Sequence, residues 1–243
     1  MSNKEEVQRI IKENPALKEM LFTRGFLLTD ASVDSLTYMG WLTESIAGIN
    51  LLIDPKLPHF IYSTNNEVII LIGHVYNPFD GLYNELDIIK KYVSEFDRME
   101  YMNQWTGVFT LIHITQDSMQ VWGDCAGMQS VYYGVINGNI YISSHAQIIG
   151  DICDLSISNY VKKITGYRFW RLYGIFLPGD ISPFDNVYRL VPNTYIFIDI
   201  LKKECNVLRF YPTKELKMTK TEEEYDVVID EISMLMHNNM KLI

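Results

Sequence analysis

The stretch Glu67-Val68-Ile69-Ile70-Leu71-Ile72-Gly73 is the strongest strand signal in the chain and decides its fold. Uninterrupted apolar side chains between a charged residue and a glycine predict a strand that is buried on both faces. Beyond it, residues 107–114 and 119–122 predict one hairpin, and residues 131–135 and 139–143 predict another around Asn137-Gly138. Antiparallel strands joined by short turns indicate a layered sheet.

Further strands and helices complete this pattern. Helical spacing of apolar residues predicts a helix over residues 83–96, and another is predicted over residues 156–164. Four more strands are predicted, at residues 25–28, 48–53, 195–200 and 206–211. We therefore predict an α+β fold in which antiparallel sheets pack between helices.

Both ends of the chain are predicted to be helical. Residues 1–23 predict an N-terminal extension of two short helices, separated at Asn14-Pro15. Within residues 214–243, a capping box of Thr221 and Glu224 precedes apolar residues that recur at three- and four-residue steps. The polar face of this tail helix is acidic, which disfavours a membrane surface. Its apolar stripe is expected to pack on a neighbouring domain or on the body of the chain.

The composition excludes several classes of function. The formal net charge is -9, and no segment clusters Lys and Arg with aromatic residues, so nucleic acid is a poor partner. The longest apolar stretch is far shorter than the roughly 20 residues of a membrane span. The start of the chain is charged and polar rather than a secretory signal, so a cytoplasmic location is expected. The histidines and the cysteines Cys125, Cys153 and Cys205 show no metal-ligand spacing, and each cysteine is expected to be a small buried hydrophobe.

Three segments resemble one family. Trp122-Gly-Asp-Cys-Ala-Gly127, followed by Val131-Tyr132-Tyr133, resembles the Arg-Asp-x-x-Gly-x-x-x-Leu-Tyr-Tyr signature of asparagine synthetase glutamine amidotransferase domains. Upstream, Trp105-Thr-Gly-Val-Phe109 is similar to the family's Leu-x-Gly-x-Phe. Downstream, residues 173–192 and Arg209-Phe-Tyr211 are similar to its later motifs. The resemblance implies an N-terminal-nucleophile (Ntn) hydrolase-like αββα sandwich, which we assign to residues 24–213.

The catalytic residues of that family do not carry over. Its opening Cys-Gly-Ile falls on Arg24-Gly25-Phe26, so an arginine occupies the position of the nucleophile. Glutamine hydrolysis in this class needs an N-terminal thiol whose own α-amine acts as the base. The arginine that grips the glutamine carboxylate falls on Ile49 or Asn50, and the oxyanion-stabilising asparagine falls on Ile72. We therefore expect no catalytic residue in this chain.

A remnant of the substrate site is predicted at Gly73, His74 and Glu85. Gly73 matches the family's Asn-Gly pair, and His74 follows it towards the former pocket. Glu85, or alternatively Asp87, matches the acid that holds the glutamine amine. A structural role for His74 is an open alternative. Ser2 is another candidate nucleophile, but it precedes a helix rather than a strand.

The resemblance implies a catalytically silent domain that acts as a scaffold or docking surface for a synthetase domain in cis or in trans. Residues 214–243 would form the linker towards that absent domain. ATP and Mg²⁺ are expected only there, because the Ser-Gly-Gly-x-Asp-Ser loop is missing from this sequence. One alternative is a stand-alone module that binds a small molecule or self-associates, for example as a homodimer. A weaker alternative is the glutaminase part of a true glutamine-hydrolysing asparagine synthetase.

Overall fold

The computed structural model describes residues 3–33, 40–174, 177–211 and 221–242. Within these residues the chain forms two six-stranded sheets in which all paired strands are antiparallel. The strands, in chain order, are β1 (Phe26–Thr29), β2 (Leu42–Ile46), β3 (Ile49–Ile53), β4 (His59–Ser63), β5 (Glu67–Tyr76), β6 (Thr106–Thr115), β7 (Ser118–Gly123), β8 (Tyr132–Ile136), β9 (Asn139–Ser143), β10 (Tyr188–Arg189), β11 (Thr194–Asp199) and β12 (Glu204–Arg209). The first sheet has the order β10-β8-β9-β1-β3-β2, and the second has the order β12-β11-β7-β6-β5-β4.

The helices lie mostly between these strands. They are α1 (Asn3–Glu13), α2 (Glu85–Ser94), α3 (Arg98–Met102), α4 (Ala146–Ile152), α5 (Asn159–Gly166), α6 (Arg168–Tyr173) and α7 (Glu222–Leu242). The predicted break at Asn14-Pro15 is confirmed, but the second piece of the N-terminal extension is a 3₁₀ turn, Pro15–Glu19, rather than an α-helix. Tight turns of this kind are common in short connecting segments.

Three groups of buried side chains define four layers. Between the sheets, Phe26 and Leu28 of β1 meet Ile70 and Ile72 of β5 in one cluster. On the outer face of the first sheet, Leu27 packs with residues of α4 in a second cluster. The third cluster joins the outer face of the second sheet to α2 and α3, and includes Ile69, Leu71, Ile88 and Ile89. The period-two alternation along β1 and β5 therefore produces an αββα sandwich, which confirms the predicted fold class.

Strand β5 runs three residues beyond its predicted end at Gly73. Gly73 has φ +99°, and a β-carbon there would overlap the carbonyl oxygen of Val108 on β6. Gly107, which pairs two residues along the same ladder, has φ +136° and an equivalent close approach to His74. These glycines therefore allow two backbones to approach closely within a continuous strand pair.

The tail helix begins at the predicted capping box. The backbone N–H of Thr221 donates to Oε2 of Glu224 over 3.0 Å, and the N–H of Glu224 donates to Oγ1 of Thr221 over 3.2 Å. The apolar stripe of α7 is not covered: Ile229, Ile232 and Met236 are each more than half exposed. Near the other end of the helix, the Asn238 side chain donates to the Pro78 carbonyl over 3.1 Å. Within the described residues, no helix combines the length and apolar character needed to cross a bilayer.

Candidate functional site

The start of β1 is where the family resemblance locates the nucleophile. There the backbone N–H of Arg24 donates to Oδ2 of Asp54 over 2.7 Å, and the N–H of Asp54 donates to the Gly25 carbonyl over 2.9 Å. The N–H of Phe26 donates to Oγ of Ser144 over 2.9 Å. The nitrogen at residue 24 is thus a bonded peptide N–H, and the side chain it carries is a guanidinium. Neither group can act as the base or the nucleophile of a glutaminase.

The N-terminal extension is packed against this position. The ring of Phe22 contacts the ring of His145 edge-on, with a centroid distance of 5.4 Å. The indole of Trp41 lies so close to Gly25 that a β-carbon there would come within 2.8 Å of it. Leu21, Phe22 and Trp41 are half-buried against the outer face of the first sheet. Residues on both sides of Arg24 in the sequence therefore cover the start of the strand, where the resemblance implies an open chain end.

Gly73 lies at the same end of the sandwich. The Asp54 carbonyl accepts from the N–H of Leu57 over 2.9 Å, and the carbonyl of the next residue, Pro58, accepts from the N–H of Gly73 over 2.8 Å. A chain of backbone hydrogen bonds thus links the start of β1, the turn at residues 54–58 and β5. The structure brings the predicted nucleophile position and Gly73 to one region.

His74 and Glu85 contact each other. Nδ1 of His74 lies 2.8 Å from Oε1 of Glu85, the first residue of α2. The His74 side chain is 54% exposed and that of Glu85 is 13% exposed, so the imidazole is open to solvent while the carboxylate is mostly enclosed. The alternative acid, Asp87, lies 3.6 Å from Lys90 on the solvated face of α2. Of the two predicted acids, Glu85 is the one that meets His74.

The residues that the resemblance aligns with the other glutamine-binding positions make structural contacts. Ile49 is buried between the sheets, and Nδ2 of Asn50 donates to the Ala31 carbonyl over 3.1 Å. Ile72 is fully buried in the same inter-sheet cluster. These residues supply neither a cationic clamp for a carboxylate nor a side-chain donor for an oxyanion.

The turn at Asp124, in the segment that resembles the family signature, is closed by hydrogen bonds to its carboxylate. Its carboxylate accepts hydrogen bonds from the backbone N–H groups of Ala126, Met128 and Gln129, at 3.1, 2.9 and 2.8 Å, and Asp124 is only 2% exposed. Gly127, at φ +63°, completes the turn. The aspartate and glycine of this motif therefore have a structural function, as turn chemistry predicts. Of the downstream motif, Ile175 and Phe176 lie outside the described residues, as does Ser2.

A charged cluster supports the opposite end of β5. The Arg98 guanidinium donates to both carboxylate oxygens of Glu67, over 2.6 and 2.9 Å. This hydrogen bonding lowers the pKa of Glu67 despite its burial. Nε2 of His113 lies 2.6 Å from the same carboxylate, yet burial lowers the pKa of His113. The arrangement ties α3 to β5 and β6 and is structural in character.

The cysteine prediction is wrong for Cys125, which is exposed beside the Asp124 turn. Cys153 and Cys205 are half-buried, and burial raises the pKa of each thiol. Neither is therefore an activated nucleophile. Among residues 3–33, 40–174, 177–211 and 221–242, no three His, Cys, Asp or Glu side chains come together as a metal site would require.

Comparisons with known proteins were made for the sequence and for the structure. No family model and no curated protein sequence matches the chain. Among solved structures, the chain is similar to the allosteric regulatory enzyme of purine biosynthesis, with a TM-score of 0.44 and 10% sequence identity over 78% of this chain. It is also similar to the glutamine phosphoribosylpyrophosphate amidotransferase of B. subtilis in complex with ADP and GMP, with a TM-score of 0.39 and 10% identity over 78% of this chain. The chain spans 43% of each of these longer chains.

Proposed function

We propose that this chain is a catalytically silent, glutamine amidotransferase-like domain of the asparagine synthetase type. The observation that carries the proposal is at Arg24, where the nitrogen expected to be a free amine is a peptide N–H bound to Asp54. The motifs that shape the fold are kept, as at Asp124, while the positions that perform chemistry hold arginine and isoleucine. A domain that must keep its fold but need not hydrolyse glutamine would show both features.

The size of the catalytic loss follows from the replaced groups. Removing one oxyanion donor from a hydrolase costs about 2.7–4 kcal/mol of transition-state stabilisation. Here the donor, the cationic clamp and the nucleophile are all missing, and the last of these removes the covalent route altogether. The site at Gly73, His74 and Glu85 would then be a vestigial pocket.

The silent part is tested with an electrophilic diazoketone analogue of glutamine, which alkylates the nucleophile of working amidotransferases. We expect the intact mass of the chain to stay unchanged after incubation, because no thiolate or free amine lies at the start of β1. A stoichiometric adduct that excess glutamine prevents would overturn the proposal. Ordinary alkylation with iodoacetamide, which should modify the exposed Cys125, serves as the positive control.

The role as a scaffold rests on α7. The apolar stripe of this helix is uncovered, as a surface that docks a synthetase domain would be. ATP and Mg²⁺ would be bound by that domain. A Ser-Gly-Gly-x-Asp-Ser loop encoded shortly beyond Ile243, or in a partner that co-purifies, would support this role.

The same uncovered stripe favours a second candidate function, a module that self-associates through α7. Sedimentation at micromolar concentration distinguishes the two. A monomer supports docking of a synthetase domain. A dimer that Ile232→Lys dissociates, and that the matched polar-face variant Glu231→Lys leaves intact, supports self-association.

A further inference from the structure

An open cavity of about 440 Å³ lies on the outer face of the second sheet. It is bounded by the end of α3, the start of β6, the Asp124 turn after β7 and the residues that precede β11 and follow β12. The residues that line the cavity include none of Arg24, Gly73, His74 and Glu85. The cavity is therefore distinct from the region that the family resemblance assigns to glutamine.

The walls of this cavity are aromatic. Trp105 and Phe109 line it, with ring centroids 5.8 Å apart in an edge-to-face arrangement. Phe210 and Tyr211 also line it, and Tyr211 is 44% exposed. Aromatic walls of this kind bury planar rings well, because stacked and edge-to-face contacts add to the gain from removing apolar surface from water.

Two free amides supply the polar groups. Asn103 and Asn193 line the cavity, and among the residues that the structure describes neither side-chain amide has a hydrogen-bond partner. A carboxamide offers one acceptor and two donors, which match the lactam or amidine edge of a heteroaromatic ring. The lining contains no Lys, Arg, His, Asp or Glu, so a charged ligand would lose its hydration without gaining a partner.

The cavity is held open by its own backbone bonds. The N–H of Asp124 donates to the Phe109 carbonyl over 3.0 Å, and the N–H of Phe210 donates to the Asn193 carbonyl over 3.1 Å. Asn193 has φ +64°, a left-handed conformation that asparagine tolerates better than most residues. Little rearrangement would be needed for a ligand to enter, which favours affinity.

We propose that this cavity binds a neutral, planar heteroaromatic molecule of about the size of a substituted purine or pteridine base, packed against its aromatic rings and hydrogen-bonded to Asn103 and Asn193. Binding here does not depend on the state of the glutamine region. The proposal thus stands or falls independently of the proposed function.

The test uses hypoxanthine and adenine as probes with the full-length chain. Cys125 is an exposed thiol on the cavity rim and reports occupancy through its rate of alkylation by iodoacetamide, read by peptide mass spectrometry. We expect at least one base to slow alkylation of Cys125 saturably, and to leave Cys153 and Cys205 unaffected. The same titration should change tryptophan fluorescence with the same midpoint.

Two variants remove the proposed hydrogen bonds without straining the fold. Asn193→Gly tolerates the positive φ, and Asn103→Ala lies at an exposed helix end. Each should weaken binding by about 2–12-fold, the range expected for one hydrogen bond. Asn66→Ala, in the separate cavity at the other end of β5, is the matched control and should bind as the wild type does.

The proposal would be overturned if neither base protected Cys125 saturably at millimolar concentration. It would also be overturned if benzoate, which is an anion, bound as tightly as the bases, or if the double variant Asn103→Ala/Asn193→Gly bound them as tightly as the wild type. Saturable protection by a base that both single variants weaken would support it. Thermal unfolding of each variant confirms that the comparison is made between folded proteins.

Discussion

Replacing Asp124 with alanine should destabilise the fold by about 3 kcal/mol. The Asp124 carboxylate accepts three backbone hydrogen bonds while 2% exposed, and alanine leaves all three N–H groups without this acceptor. Ala126 and Met128 lie at the surface, so water can reach part of the turn, and about 1 kcal/mol for each lost bond is the appropriate magnitude. Asp124→Asn keeps one acceptor oxygen and should lose roughly half as much free energy of unfolding.

Urea unfolding followed by tryptophan fluorescence measures this loss, and a thermal scan should show a fall in Tm of about 6–12 °C for alanine in a chain of this size. Asp185→Ala is the matched control, because Asp185 is exposed, and it should change stability by less than about 0.5 kcal/mol. If Asp124→Ala were no more destabilising than Asp185→Ala, the structural reading of the signature turn would be refuted.

Contacts elsewhere in the molecule give three further predictions. Gly73→Ala should lower the free energy of unfolding by more than about 3 kcal/mol, because its β-carbon would overlap the Val108 carbonyl oxygen. Gly81 also has positive φ but faces open space, so Gly81→Ala should lower the free energy of unfolding by only about 1 kcal/mol. Similar urea midpoints for the two variants would contradict this prediction. The folded state lowers the pKa of His113 and of Glu67, so it favours the deprotonated form of each side chain. The free energy of unfolding should therefore fall as the pH drops below 6.5, where His113 begins to take up a proton in the unfolded chain, and fall further below 4.5, where Glu67 does. His113→Gln should remove the first of these two falls in a plot of urea midpoint against pH. Thr221→Ala should remove about 1 kcal/mol of capping energy and so speed amide hydrogen exchange in the first turn of α7. Thr221→Ser keeps a capping hydroxyl and should exchange as slowly as the wild type. An unchanged exchange rate in Thr221→Ala would argue against the cap.

Local chemistry explains the parts of the fold that the sequence predicts. Asn137 and Gly138 both adopt positive φ, as a two-residue turn between right-twisted strands requires, and β8 and β9 pair around them. The capping box of α7 likewise involves residues only three apart. Such features are encoded within a few residues, so pattern reasoning finds them.

The missed elements depend on distant residues. Strands β2 and β4 lie at sheet edges and have partly exposed, mixed sequences, so they lack the alternation that marks a strand. Helix α4 contains Gly150, a poor helix former, which is needed because the ring of Phe184 packs against its backbone. The sequence shows neither that contact nor the 440 Å³ cavity, whose walls come from segments about 100 residues apart.

The residue types at the candidate site can be read from the sequence, but their arrangement cannot. Aligning Arg24 with the nucleophile position requires only the motif. The Asp54 carboxylate that holds the Arg24 N–H, and the contact between His74 and Glu85, arise from the packing of β1, β5 and α2 and are visible only in three dimensions.

The most direct test of the central claim is the release of glutamate from glutamine by the purified full-length chain, measured with a coupled dehydrogenase assay. The account predicts no glutamate above the enzyme-free blank, at any protein concentration, because no nucleophile or free amine lies at the start of β1. Glutamate formation that rises in proportion to protein, and that a thiol-directed inactivator abolishes, would contradict it.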